Sequence, residues 1–76
     1  MAPEYIFHST SFDRELLRKE EICLNDHDID YQLEIREGWR QARAPLADNF
    51  EAEVYINEKD FAKADPLLKD LIQKFS

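Results

Sequence analysis

The sequence predicts one α+β domain over residues 1–76, a two-layer sandwich in which two helices cover one face of a three-stranded antiparallel sheet. Segments with the period of a strand and segments with the period of a helix follow one another in the order β-α-β-β-α. A chain of 76 residues that is 43% hydrophobic has room for one core. A right-handed crossover through the first helix lets the third strand insert between the first two, which predicts the sheet order 1-3-2.

The first strand is predicted at residues 4–9, EYIFHS, which are rich in aromatic and β-branched side chains. Alternation assigns Tyr5 and Phe7 to one face of the strand and Ile6 and His8 to the other. Each pair contains an apolar residue, so the pattern leaves open which of the two faces points to the core.

The first helix is predicted from about Phe12 to His27, because Thr10 and Asp13 resemble a capping box. The residues spaced for its core face are Phe12, Leu16, Glu20, Cys23, Leu24 and His27, with Leu17 at the margin of that face. Ile22 falls off this face, either as an ordinary surface isoleucine or as part of a contact surface. The turn-forming residues 25–28 are expected to end the helix.

The second strand is predicted where apolar and polar residues alternate, and its core-facing members are Ile29, Tyr31, Leu33 and Ile35. The only glycine of the chain follows this strand. Residues 37–49, EGWRQARAPLADN, have no sustained period and are predicted to form a long loop. Loops of this length are often functional.

The third strand and second helix are predicted in residues 50–75. The inward residues of the strand are Phe50, Ala52, Val54 and Ile56. Asn57 is expected to cap the helix, whose apolar stripe contains Phe61, Ala64, Leu68, Leu71 and Phe75. Pro66 allows two interpretations. Either one helix bends there, which the unbroken phase of the stripe favours, or a second helix begins at Pro66.

The opening strand YIFHS, the helix that ends before IDYQLEI and the closing segment EVYINEKDFAKADPLL together resemble a small bacterial family. Its members are signal-transducing proteins of unknown function with a ferredoxin-like fold related to the PII signalling proteins. The family usually has a glycine just before the second strand, and the ferredoxin-like fold adds a fourth strand after the second helix; this sequence has neither feature. The resemblance implies a ferredoxin-like sandwich and a role in signal transduction, and it brings no catalytic or ligand residues.

The composition disfavours several classes of function. A formal net charge of −7 weighs against nucleic acid and anionic membranes and favours a cationic or neutral partner. No apolar run reaches the length of a membrane helix. A single cysteine rules out an internal disulfide, and the N-terminus lacks the apolar core of a signal peptide, so a cytoplasmic protein is expected.

Two spacings resemble metal sites, although neither is predicted to bind a metal. Cys23 and His27, four residues apart on a helix, supply half of a zinc site. Asp26, Asp28 and Asp30 match the start of a calcium loop, but a tyrosine stands where the sharp turn requires glycine. No cofactor is predicted.

No nucleophile elbow, phosphate-binding glycine loop or dinucleotide fingerprint is present in the sequence, which therefore predicts a non-catalytic interaction or regulatory module. A PII-like small-ligand sensor that acts as an oligomer is the alternative. The predicted partner-binding residues are Arg36, Trp39, Arg40 and Arg43, because Trp and Arg are enriched at binding hot spots. In the other interpretation of this cluster, Trp39 closes the core and the arginines are solvated. The unpaired edge of the first strand is a second candidate, for a partner strand or for a second copy in a homodimer.

Overall fold

The computed structural model describes residues 3–36 and 50–75. Its elements are β1 (Tyr5–Ser11), α1 (Arg14–Asp26), β2 (Tyr31–Arg36), β3 (Glu51–Asn57) and α2 (Phe61–Phe75). The three strands form one antiparallel sheet in the order β1-β3-β2. The predicted α+β class and the central position of β3 are therefore confirmed. The described residues contain no fourth strand of the kind that completes a ferredoxin-like sandwich.

The central strand β3 supplies the middle of the core. Ala52, Val54 and Ile56 alternate along it and are fully buried, as their spacing predicts. They pack in one cluster with residues of both helices, which are Leu17, Leu24, Ala64 and Leu68. Both helices therefore cover the same face of the sheet.

The second helix runs without interruption from Phe61 to Phe75 across Pro66, so the interpretation as one helix is confirmed. It begins later than the predicted Asn57 cap, because the Asn57 side-chain oxygen accepts a hydrogen bond from the Lys59 N–H and holds a turn over residues 58–60. Leu71, expected in the core, is only half-buried.

The first helix begins two residues later than predicted. β1 continues to Ser11, so Thr10 belongs to the strand, and the cap is Asp13, whose carboxylate accepts hydrogen bonds from two backbone N–H groups of the first turn. Phe12, predicted on the core face, lies outside the helix and is 67% exposed. On the core face of α1, Glu20 and Leu24 are buried as predicted, Leu17 is buried as well, and His27 is exposed.

The two helices lie antiparallel to each other. The Lys63 ammonium group near the start of α2 donates a 2.9 Å hydrogen bond to the His27 carbonyl at the end of α1. The Lys19 ammonium group on α1 lies 5.7 Å from the centre of the Phe75 ring at the end of α2. No described helix is long and apolar enough to span a membrane.

The register between β1 and β3 decides which face of β1 points inward, and a β-bulge changes the alternation partway along the strand. Phe7 lies opposite Tyr55 and Ser9 lies opposite Val54, so β1 contains one extra residue at this point. Ile6 pairs with the buried Ile56, which places the Ile6 and His8 set on the helical side of the sheet. In the other edge strand, Ile35 was expected in the core but is exposed near the end of β2.

Candidate functional site

The side of β1 that faces away from β3 is the first candidate site, and we call Tyr5–Ser11 on this side the β1 edge. Within residues 3–36 and 50–75, β1 pairs only with β3. Alternate residues of an antiparallel strand turn their N–H and C=O groups away from the paired neighbour. The β1 edge therefore offers hydrogen-bonding groups to another strand.

The β1 edge has no acidic or basic residue other than His8, in a chain of net charge −7. Charged side chains are a common device that protects sheet edges from unwanted pairing. β2, the other edge strand, carries Glu34 and Arg36, both exposed. Of the two edges, β1 is therefore the one that lacks this protection.

Two apolar side chains of the β1 edge are exposed on opposite faces of the sheet. Ile6 is 42% exposed and Phe7 is 47% exposed. The Phe7 ring contacts the Tyr55 ring edge-to-face, with 5.7 Å between the ring centres. A strand that paired with β1 would cover parts of both side chains, which adds apolar burial to the backbone hydrogen bonds.

The bulge residue His8 anchors β1 on α2. Its Nε2 atom lies 2.8 Å from a carboxylate oxygen of Asp65, its Nδ1 atom lies 2.9 Å from the Ser9 hydroxyl, and its ring lies 5.6 Å from that of Phe61. A serine, histidine and aspartate in hydrogen-bond sequence can activate a nucleophile. Here the His8 side chain is almost fully buried and Ser9 faces the core side of β3, so the contacts serve to hold the edge strand in place.

Asp65 is the acidic partner in this anchor. Hydrogen bonds from Lys69 and His8 hold the pKa of the Asp65 carboxyl below its usual value. Lys69 lies one turn along α2, with 3.1 Å between its ammonium group and the carboxylate. Protonation of Asp65 in acid would weaken the connection between β1 and α2.

The sheet face opposite the helices, which we call the outer sheet face, carries a charged cluster around Arg36. The Arg36 guanidinium lies 3.2 Å from Glu34, 3.5 Å from Glu51 and 3.4 Å from Glu53. The hydrogen bond to Glu34 and the charge of Glu53 raise the pKa of Arg36. Arg36, predicted to bind a partner, is thus already surrounded by carboxylates of its own sheet.

The other predicted partner-binding residues, Trp39, Arg40 and Arg43, lie outside the described residues. The site predicted around Trp39 is therefore represented in the structure by Arg36 alone.

One end of the outer sheet face is organised around Asp30. Its carboxylate accepts a 2.7 Å hydrogen bond from the Tyr5 hydroxyl and a 3.0 Å hydrogen bond from the Asn57 amide. Both hydrogen bonds lower the pKa of Asp30, and the one from Asn57 has the larger effect. The same contact with Asp30 raises the pKa of Tyr5. Tyr5 thereby reaches from β1 across the end of β3 to the start of β2.

The aspartates around this end are used in the fold. Asp28 adopts φ 55° as the chain leaves α1, a left-handed conformation that aspartate tolerates better than most residues. Asp60 accepts a hydrogen bond from the Asp30 N–H. Within the described ranges, no group of three or more metal-ligating side chains is close enough to hold an ion.

Cys23 and His27 are neighbours, and the described contacts of the His27 ring are with Cys23 itself. The Cys23 sulfur lies 4.0 Å from the His27 Nδ1 atom, and the same nitrogen lies 2.8 Å from the Cys23 carbonyl oxygen. Burial, followed by the charges of Asp26 and Glu20, raises the pKa of the Cys23 thiol. A protonated thiol is a poor nucleophile and a poor metal ligand.

Glu20 is the ionisable group that the sequence interpretation overlooked. It is 1% exposed, and neither of its carboxylate oxygens has a hydrogen-bond partner. Burial raises the pKa of Glu20 to about 7. The signal was a glutamate at a position spaced for the core face of α1.

No protein-family model, curated protein or solved structure matches this chain.

Proposed function

We propose that this protein is a small non-catalytic interaction module that binds an extended segment of a protein partner along the β1 edge. The observation that carries the proposal is an edge strand without acidic or basic residues apart from the buried His8, with exposed Ile6 and Phe7. Backbone hydrogen bonds would supply affinity, and contacts with alternate side chains of the partner would supply specificity.

The bulge limits the length of the regular pairing surface. A partner strand meets one regular stretch before the bulge, Tyr5–Phe7, and another after it, Ser9–Ser11. Bulges at sheet edges often terminate or redirect pairing. The module therefore favours a short partner segment or one with a matching irregularity over a long regular strand.

A second copy of the chain is the competing occupant, and it would pair β1 with β1 in a homodimer. Each copy carries a formal net charge of −7, so association of two copies brings like charges together. A neutral or cationic partner does not meet this repulsion. The charge therefore favours a different protein as the partner.

The alternative function, a PII-like sensor of a small ligand that acts as an oligomer, rests on the family resemblance. Its pocket would involve the segment that contains Trp39, Arg40 and Arg43 together with a neighbouring subunit. We place the module in the cytoplasm, a proposal supported by the single, half-buried cysteine.

A peptide-display selection against the purified protein tests the strand-addition proposal. Selected peptides should bind the wild type and should lose at least about tenfold in affinity for Ile6→Lys, equivalent to roughly 1.4 kcal/mol, because a charge at the edge opposes pairing. The matched control is Ile22→Lys, which places the same charge at an exposed isoleucine of α1. Circular dichroism verifies that both variants are folded.

Amide exchange and light scattering give the remaining outcomes. Binding should slow exchange of β1 amides that are unprotected in the free protein. Peptides with equal affinity for Ile6→Lys and the wild type would refute strand addition at this edge. If light scattering gives the molar mass of two copies for the wild type and of one copy for Ile6→Lys, the edge is assigned to a homodimer instead.

A further inference from the structure

The outer sheet face next to the β1 edge combines aromatic rings with carboxylates. Tyr5, Phe7 and Tyr55 lie on this face, and Phe7 and Tyr55 are direct neighbours in the sheet register. Because Tyr5 reaches across to Asp30, its ring borders the same region. A shallow groove here is lined by Tyr5, Gln32, Leu33, Glu34 and Tyr55.

The described residues of the outer sheet face carry a negative charge. Glu34, Glu51 and Glu53 surround the single guanidinium of Arg36, so three carboxylates face one cation. The pKa of Tyr55 is raised, mainly by burial and next by the negative charges of Glu53 and Glu34. The positive charge of Arg36 lowers this pKa, but its effect is smaller. The electrostatic field at the aromatic end of the face therefore favours a cation.

We propose that the outer sheet face binds a basic side chain, lysine or arginine, of the partner segment that pairs with the β1 edge. The inference rests on the proposed function and specifies the chemistry of the partner. A strand added to β1 lies about 4.8 Å from it and turns alternate side chains to this face. The diagonal and next-strand neighbours are within the reach of long side chains.

Two interactions would hold the basic side chain. Its stem would lie along the exposed Phe7 ring, and its charged end would lie between the Tyr55 ring and the Glu53 carboxylate. Tyr55 donates a long hydrogen bond of 3.4 Å to Glu53, which leaves that carboxylate able to accept a stronger one. Arg36 would retain Glu34 and Glu51 if the incoming cation displaced it from Glu53.

A sheet face with exposed aromatic rings can also stack the bases of single-stranded nucleic acid. Such binding depends on basic residues that neutralise phosphates. On this face, however, the Arg36 guanidinium is surrounded by three glutamates. The charge therefore favours a basic peptide over RNA.

The experiment uses two designed peptides of about eight residues, the length of an ordinary strand. One alternates valine with lysine and the other alternates valine with glutamate. Titrations of the full chain follow the Tyr55 and Phe7 ring signals by NMR. The lysine peptide should bind and shift these signals, and the glutamate peptide should bind at least about tenfold more weakly, or roughly 1.4 kcal/mol.

Matched double variants test the position of the cation. Glu34→Gln with Glu53→Gln removes two carboxylates from the outer sheet face, and Glu15→Gln with Asp70→Asn removes two exposed carboxylates from the helical layer. Both pairs change the net charge equally. The affinity for the lysine peptide should fall at least about tenfold only in the first pair, or roughly 1.4 kcal/mol.

The outcomes separate this inference from the function on which it rests. If both peptides bind the wild type with equal affinity and neither binds Ile6→Lys, the cation site is overturned and strand addition is supported. If the affinity of the lysine peptide falls in the Glu34→Gln, Glu53→Gln variant but not in Ile6→Lys, the cation site is supported and strand addition is overturned. Equal losses in the two double variants would reduce the effect to general charge attraction and overturn the inference. Tighter binding of a single-stranded RNA oligonucleotide than of the lysine peptide would also overturn it.

Discussion

Replacing Glu20 by glutamine should stabilise the protein at alkaline pH and leave its stability in acid nearly unchanged. Glu20 is 1% exposed among core residues of α1, and its carboxylate oxygens have no hydrogen-bond partner. A buried carboxylate without a partner is costly when it is ionised, and much less costly when it is protonated. Glutamine has nearly the shape of the protonated acid and cannot ionise.

The pKa gives the magnitude of the effect. Burial raises the pKa of Glu20 from 4.5 to about 7, and a tenfold change in proton affinity corresponds to roughly 1.4 kcal/mol, so ionisation costs about 3 kcal/mol. Because the folded state binds this proton more tightly than the unfolded state, the associated stability is fully present below about pH 4.5. It is lost as the pH rises through about 7.

Urea denaturation of the wild type and Glu20→Gln, followed by circular dichroism near pH 4 and near pH 8, measures this difference. The free energies of unfolding should agree within roughly 0.5 kcal/mol in acid, and the variant should be more stable by about 3 kcal/mol in alkali. Glu15→Gln, at an exposed position on the same helix, is the control and should change the stability by less than about 1 kcal/mol at either pH.

Two results would contradict this reasoning. A variant that loses stability equally at both pH values would mean that the Glu20 carboxylate has a favourable contact in the folded protein. An NMR titration of the Glu20 carboxyl carbon with a midpoint near 4.5 would mean that the group is hydrated and not buried.

Two further predictions concern the core and the strand anchor. Leu68→Ala should destabilise the protein by about 2–5 kcal/mol because Leu68 is fully buried, whereas Leu71→Ala should cost less stability because Leu71 is half-buried. Urea denaturation of the two variants measures this difference. Equal losses of stability would contradict the assigned burial. Asp65→Asn should lower stability at neutral pH, because asparagine keeps the shape of the side chain and loses the charge that His8 and Lys69 contact. Because hydrogen bonds lower the pKa of Asp65, this stability advantage of the wild type should disappear as the pH falls below about 4. A difference in stability between wild type and variant that persists in acid would exclude an ionic anchor.

Much of the fold could be predicted because periodicity is a local property of the chain. The alternation of Ala52, Val54 and Ile56 predicts a strand with one buried face, and the stripe that includes Ala64 and Leu68 predicts the helix that covers it. These signals depend on residues a few positions apart. The order of the elements then leaves few topologies, and the sheet order follows from the crossover rule.

The predicted start of α1 is wrong because a local capping signal lies within a strand. Thr10 with Asp13 resembles a capping box, which predicts a helix that starts near Phe12. In the structure Thr10 pairs with Glu53 across the sheet, so the strand extends and Asp13 takes the cap. The pairing partner is distant in sequence, and no local pattern could reveal it.

The candidate site was predictable in outline. An edge position for β1 follows from the sheet order, and the uncharged composition of the strand can be read directly from the sequence. The accessible side chains of this edge, Ile6 and Phe7, and the anchor of His8 on Asp65 could not be read in this way. They depend on the register between β1 and β3, which contains a bulge, and on the packing of α2.

The sequence by itself determined the α+β class of the fold, the order of the described strands and helices, and a formal net charge of −7. The tertiary structure decided which face of β1 turns inward, that Glu20 is buried without a partner, and that carboxylates and aromatic rings share the outer sheet face. The physical reason is that burial and register are set by contacts between distant segments. The local sequence specifies only the period with which each segment presents its side chains.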